Sequence, residues 1–255
     1  MSRTMPPMSA GSGKAYTIDA QGLDTRRLNQ ELRKIVNNGH REIELLNVTG
    51  QRYIAAGLKG DFQIDIDGTP GNDLGAFMDG PTIRVHGNGQ DGYGNTMNSG
   101  EIVVQGDVGD ITGLSARGGR IFVKGNAGYR TGVHMKEFQG SRPIIVIGGS
   151  AGDYLGEYMA GGVVLLLGQG LEGNHQADFV GTGMHGGVIY LKGEVRGIGR
   201  EVAILDITED DRRFIEELVK DYTKHFNVDV KNVAEGDFKK LIPVSSRPYG
   251  TLYTY

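Results

Sequence analysis

The stretch in this 255-residue chain that most invites a chemical reading is IIVIGGSAGDYLGEYM, residues 144–159. Four apolar residues run into a glycine cluster, and polar sequence comes next. That is the outline of a strand, a phosphate-cradling turn and the amino end of a helix. Paired acids occur at Asp65/Asp67 and Asp210/Asp211. The first pair is two residues apart, so both carboxylates share one face of a strand. Six histidines, His40, His86, His134, His175, His185 and His225, could act as bases or metal ligands.

None of these groups forms a complete site by sequence. The dinucleotide fingerprint needs G-x-G-x-x-G, and Ile147 stands in its first glycine place. Similar glycine patterns recur at 106–109 (GDVG) and 125–128 (GNAG), and a phosphate loop in every unit is not physical. GNGQDGYG at 87–94 resembles glycine–aspartate calcium repeats, but its aspartate does not return nine residues later. No histidine lies in an H-x-x-x-H or H-E-x-x-H pattern, although His134 and His185 could approach each other. No serine–histidine–acid triad is readable. The chain has no cysteine, which excludes a thiol nucleophile, a thiolate-held iron–sulfur cluster and disulfides. The net charge of −4 gives no footing for nucleic acid or an anionic membrane. The N-terminal sequence has no secretory apolar region, and no run approaches the roughly 18 apolar residues that a spanning helix needs. The expectation is a cytoplasmic protein.

Glycine explains the patterns better than any single site does. The chain holds 43 glycines, more than double the usual share of about 7%. They mark a repeat: IDIDG (64–68), IRVHG (83–87), IVVQG (102–106), IFVKG (121–125), IIVIG (144–148), VLLLG (164–168) and IYLKG (189–193). A second series is read at Gly71, Gly92, Gly109, Gly128, Gly152, Gly173 and Gly197. A third precedes a small or sulfur-containing residue, as in Gly75–Met78, Gly94–Met97, Gly113–Ala116, Gly132–Met135, Gly156–Met159 and Gly181–Met184.

A strand this short cannot fold alone, but stacked copies pair through their backbones about 4.8 Å apart. Residues four and two before each terminal glycine are all branched aliphatics and are expected inside. Glycine is expected to supply positive-φ corners and the close backbone approach at each bend. The sequence therefore predicts a mainly β fold: a single-stranded, right-handed parallel β-helix of about seven coils, with helical caps at both ends. In such a helix Asp65, Asp67 and Arg84 would sit on adjacent outer coils, where glycan-cleaving β-helices place acids and a cation.

The chain divides into three regions. Residues 1–52 form an N-terminal cap, with a helix starting at Asp24-Thr25, an apolar face of Leu28, Leu32, Ile35 and Val36, a stop at Gly39 and a strand at 41–48. Residues 53–204 are the β-helix. Residues 205–255 carry a helix opened by a Thr208/Asp211 capping box, with a stripe of Phe214, Ile215, Leu218, Val219 and Tyr222, and then a tail expected to dock. In the fifth and sixth coils Ile145, Ile147, Leu165 and Leu167 are read as facing outward, so the C-terminal helix or a partner subunit must cover them. The insertions KEFQGSRP (136–143) and His175–Gln176–Asp178 are where solenoids place partner-contact loops.

The units GEIVVQGDVGDITGLSA and GGRIFVKGNAGYRTGVHM closely resemble the GXGXG domain, over about residues 57–200. That domain is the C-terminal β-helix of the glutamate synthase large subunit and also occurs as the C subunit of formylmethanofuran dehydrogenase. The segment DFKKLIPVSSRPYG resembles the stretch after the β-helix in glutamate synthases. The chain is similar to the stand-alone form of that domain, found where the large subunit is split and in N-methylglutamate synthase. The resemblance implies a non-catalytic scaffold in a complex that moves the glutamine amide nitrogen to 2-oxoglutarate. The expected partners are a glutamine amidotransferase subunit and an FMN-dependent glutamate synthase subunit, with FMN and iron–sulfur clusters on those partners. A homo-oligomer is also compatible with it. The resemblance assigns no catalytic, cofactor-binding or metal-binding residue to this chain. The alternatives are the C subunit of a formylmethanofuran dehydrogenase-type enzyme and an independent carbohydrate-active β-helix.

Overall fold

The computed structural model describes residues 15–229 and 236–245. Strand β1 (Tyr16–Asp19) and helix α1 (Thr25–Asn37) open the chain, and β2 (Glu42–Thr49) comes next. The repeat then contributes β3 (Gln63–Thr69), β4 (Asp79–Val85), β5 (Ser99–Val104), β6 (Arg120–Val123), β7 (Ile144–Ile147), β8 (Ala160–Leu166) and β9 (Gly186–Lys192). Last come β10 (Val202–Asp206), α2 (Glu209–Phe226) and β11 (Phe238–Pro243). The described strands form one sheet in the order β1-β2-β3-β4-β5-β6-β7-β8-β9-β11-β10. Every pairing from β1 to β9 is parallel. β11 inserts antiparallel between β9 and β10. The fold is a β-solenoid in which β3 to β9 are the seven expected rungs, with six turns between them.

The rungs pair in register. Ile43, Ile64, Ile83, Ile102, Ile121, Ile145, Val164 and Ile189 form one internal ladder, and the residues two further on form another. All of them are at most 2% exposed. Each such side chain contributes about 1.5–3 kcal/mol on leaving water.

The fifth rung departs from the sequence reading by one residue. Ile145 pairs with Ile121 and Ile147 with Val123, so these two point inward, while Ile144 and Val146 point outward. The terminal glycine of this rung is Gly149, whose N–H donates to Gly125 O at 2.8 Å and whose carbonyl accepts from Gly168 N at 3.1 Å. Four consecutive aliphatics carry no alternation, so either phase suits the pleat, and the doublet Gly148-Gly149 offers two landmarks. Counting to Gly149, the intervals become 19, 19, 19, 24, 19 and 25 residues.

The second glycine series also shifts. The ladder place is held by Gly71, Gln90, Gly109, Gly128, Gly152, Ala177 and Gly197, so Gly92 and Gly173 lie outside it. Coil 2 is too rich in glycine for spacing alone to choose among them. The third series stands as read: Gly75, Gly94, Gly113, Gly132, Gly156 and Gly181 have φ between +65° and +75°. The small and sulfur-containing residues that come after them are all buried.

Helix α1 closes the N-terminal end as expected, whereas α2 lies along the outer face of the sheet, and the antiparallel strands β11 and β10 stand at the C-terminal end where a helical cap was expected. Asp24 caps α1, and Leu28, Leu32, Ile35 and Val36 bury their stripe against the first rungs. Thr208 and Asp211 form a complete capping box on α2. Ile215, Leu218, Val219, Tyr222 and Phe226 then cover Phe122, Ile144, Val146, Leu165 and Leu167 on the outer sheet face. The cover is intramolecular, and Leu165 and Leu167 face outward as expected. Phe214 is only partly buried, with the Arg142 guanidinium over its ring. The last ten residues of the tail expected to dock lie outside the described residues.

Candidate functional site

The repeat builds two side-chain ladders that the sequence reading did not anticipate. Asn88 Oδ1 accepts from Asp107 N at 2.9 Å, Asp107 Oδ1 from Asn126 N at 2.6 Å, and Asn126 Oδ1 from Ser150 N at 2.9 Å. In a parallel row, Asp91 Oδ1 accepts from Asp110 N at 2.9 Å and Asp110 Oδ1 from Tyr129 N at 2.8 Å. Further along this row Asp153 Oδ1 accepts from Asp178 N at 2.9 Å. Each side chain satisfies a backbone N–H of the next coil.

These ladders explain two of the repeated glycines. A Cβ on Gly106 would lie 2.0 Å from Asn88 Oδ1, and one on Gly109 would lie 2.1 Å from Asp91 Oδ1. The role is close approach, and neither glycine has a positive φ. The signal was present in the sequence: Gly87-Asn88, Gly106-Asp107, Gly125-Asn126 and Gly149-Ser150 keep the same offset.

At Ser150 the first ladder changes chemistry. The Ser150 hydroxyl lies 2.8 Å from His175 Nδ1, and His175 Nε2 lies 3.0 Å from the Lys192 carbonyl. A carbonyl only accepts, so Nε2 carries the proton and Nδ1 accepts from the hydroxyl. His175 is fully buried. Burial depresses its pKa, against the opposing hydrogen bond to Lys192. The pair sets a hydroxyl against a neutral base, but it is enclosed and continues the ladder.

The outer face of β3 and β4 carries the predicted acids. Asp65 is in register with Arg84, and its Oδ1 lies 3.2 Å from His86 Nε2. Gln63 Nε2 donates to the other Asp65 oxygen at 2.5 Å. The structure therefore joins Asp65 to His86, while Asp67 is exposed at the end of the strand. Asp210 is exposed at the start of α2 and pairs with Arg213.

Asp211, in the first turn of α2, is the centre of a polar knot. It accepts from Tyr190 Oη at 2.5 Å, from Lys240 Nζ at 2.7 and 3.0 Å, and from Thr208 N and Oγ1 at 2.9 and 2.7 Å. Burial alone would raise this carboxyl. The bonds from Lys240, Tyr190 and Thr208 outweigh it and hold the group far below the usual carboxylate range.

His134 and His185 do not converge. His134 stacks on Tyr158, and His185 Nδ1 faces the Gly183 carbonyl at 3.1 Å. Among the described residues no three His, Asp or Glu side chains are placed to hold a metal ion. Of the predicted contact insertions, His175 is buried and Asp178 is paired with Arg196. The 136–143 insertion is a small hairpin closed by Phe138 and Ser141, with Arg142 paired to Glu137 at 3.2 Å.

The wall opposite the sheet presents the main exposed aromatic surface. Each coil crosses this wall through left-handed backbone positions, including Ile111, Arg130, Tyr154 and Phe179 in one row and Phe77, Thr96, Ser115, His134 and Tyr158 in another. Tyr154 stacks on Phe179 at 4.9 Å, and Arg130 lies 4.7 Å above Tyr154. Phe77, Tyr129, Tyr158 and Phe179 remain about half exposed. Among the described residues no helix is long and apolar enough to cross a membrane.

The family model described as GXGXG motif matches residues 18–244. An uncharacterized protein of Methanocaldococcus jannaschii is 45% identical over 249 residues, covering 93% of this chain and 95% of that protein. A solved chain is similar in fold with a TM-score of 0.59 and 19% identity, covering 91% of this chain and 98% of that one. It comes from the formyltransferase/hydrolase complex of Methylorubrum extorquens in complex with methylofuran.

Proposed function

The chain belongs to the GXGXG family, and from that premise we propose that it is a non-catalytic scaffold subunit of a multi-subunit, oxidoreductase-type complex. The observation that carries this reading is the exposed aromatic wall on a stack of in-register coils. Aromatic side chains held on a regular backbone are anchors for a partner surface. With no cysteine, the chain itself offers no thiol nucleophile and no thiolate ligand for a cluster.

The coils at 100–135 support a glutamate synthase-type assembly through their resemblance to that domain. In this reading the partners are a glutamine amidotransferase subunit and an FMN-dependent synthase subunit. FMN and iron–sulfur clusters reside on those partners, and the complex passes glutamine amide nitrogen to 2-oxoglutarate. A second reading, the C subunit of a formylmethanofuran dehydrogenase-type complex, draws on the likeness in fold to the Methylorubrum extorquens chain.

Isolation of the native protein under mild salt, with mass spectrometry of whatever accompanies it, separates the two. An amidotransferase and a flavoprotein support the first reading. A formyl-transferring partner, or one holding molybdenum or tungsten, supports the second. Glycan cleavage by the isolated chain, lost in Asp65→Asn, would overturn both.

A further inference from the structure

At the corner after the buried methionine row, equivalent positions of successive coils are Asn98, Arg117, Lys136 and Ala160. Their N–H groups donate to Met78, Met97, Ala116 and Met135 carbonyls at 2.9, 2.8, 3.0 and 2.8 Å. Two cations are therefore stacked one coil apart with neutral residues on either side. Like charges so placed repel. On the same and neighbouring coils Arg120, Arg130, Arg142 and Arg196 are each paired with a carboxylate. Among the described residues neither Arg117 nor Lys136 has a carboxylate within the 4.0 Å of an ion pair. The nearby acid Glu137 is committed to Arg142 and to Gly162 N.

Arg117 carries a second anomaly. Its Nε is buried without a hydrogen-bond partner. Its guanidinium lies 5.5 Å from the ring centre of Phe138, which is 42% exposed on the hairpin beside it. A buried donor without a partner is rare and calls for an explanation. Arg117 is only half-buried beside that ring, so the rest of its guanidinium can still take a carboxylate from outside. Arginine beside an exposed aromatic is also the composition of an interface anchor.

We infer that Arg117, Lys136 and Phe138 form a docking corner for an acidic segment of a partner subunit, with a carboxylate seated on the Arg117 guanidinium. This rests on the scaffold reading and adds the place and the chemistry of one contact. Charge complementarity selects the occupant: two uncompensated cations beside an apolar ring match a glutamate- or aspartate-bearing strand or loop.

The test is zero-length carbodiimide cross-linking of the natively isolated complex, which joins a lysine amine directly to a carboxylate. The expected product links Lys136 to an Asp or Glu of a co-isolated subunit. Affinity of that subunit for the full-length chain is then compared at low and high salt. Arg117→Glu and Lys136→Glu should each weaken it at least tenfold at low salt, and Lys136→Arg should retain it. Lys136 is exposed, so Lys136→Glu gives a reading even if Arg117→Glu does not fold. A complex that assembles with unchanged affinity in Lys136→Glu, and shows no link from Lys136, overturns the docking corner and leaves the scaffold reading standing. A chain isolated without partners overturns both.

Discussion

Tyr222 of α2 donates its hydroxyl to the Lys124 carbonyl at 3.1 Å, and that hydroxyl occupies the space a side chain on Gly148 would need. A Cβ at Gly148 would stand 2.1 Å from Tyr222 Oη and 2.1 Å from Lys124 O. Helix α2 can seat on the sheet only because the residue beneath Tyr222 is glycine. Burial pushes the Tyr222 phenol up to about 12.

Gly148→Ala is therefore expected to cost more than Tyr222→Phe. The latter removes two hydrogen bonds, one to the Lys124 carbonyl and one from Gln169 Nε2, about 1 kcal/mol each. Combining the two should give no rescue, because the Lys124 carbonyl still blocks the new methyl. Urea unfolding of the three variants measures this.

Gly94 faces the core from the opposite wall. Its φ is +67°, and an added Cβ would lie 2.5 Å from Ile121 Cδ1. Gly94→Ala should destabilise through both the clash and the left-handed backbone, the latter about 1–2 kcal/mol. Ile121→Val removes the clashing methyl. The double variant should thus be less destabilised than the sum of the singles, while the backbone share persists. A thermodynamic cycle from chemical denaturation reads the difference.

Asp211 makes stability acid-sensitive. Its native pKa is depressed below the ordinary 3.8. The stabilisation is therefore complete above the unfolded value and is lost as pH falls below 3.8 toward the native one. Asp211→Asn should move the acid-unfolding midpoint upward and cost about 3–5 kcal/mol at neutral pH, since it leaves Lys240 without its counter-charge. Circular dichroism during acid titration checks both.

His175 acts in a different pH window. Its native pKa is depressed below the usual 6.5, so the unfolded chain takes up the proton first. Stability should be constant above about pH 7 and fall as pH drops below about 6.5, with a slope of at most about 1.4 kcal/mol per pH unit. His175→Gln keeps an acceptor for Ser150 and a donor for Lys192 without titrating. Its stability profile should be flatter between about pH 7 and 5 by denaturant titration.

The aromatic wall should matter for assembly and not for folding. Phe77→Ser, Tyr158→Ser and Phe179→Ser together alter side chains that are about half exposed. The melting temperature should move by only a few degrees, while co-isolation of partner subunits falls. Retained co-isolation would assign the contact to another face.

The two helices were legible because their signals are local. Asp24, Thr208 and Asp211 act on backbone groups within three residues, and the stripes of α1 and α2 keep to one helical period. Loop positions were less legible: His175 stands in a stretch that reads as a surface insertion, yet it is buried between Ser150 and Lys192.

The sequence by itself determined the solenoid, its rungs, its aliphatic ladders and the need to cover an apolar outer face, because a repeated unit states its pattern many times. Only the tertiary structure decided the phase of β7, the helix that covers it and the asparagine–aspartate ladders. Residues 144–147 are aliphatic at every position, so their pleat has no preferred face until Gly149 locks onto Gly125 and α2 closes over Ile144 and Val146. Those choices are made between coils about 20 residues apart, where no local pattern reaches.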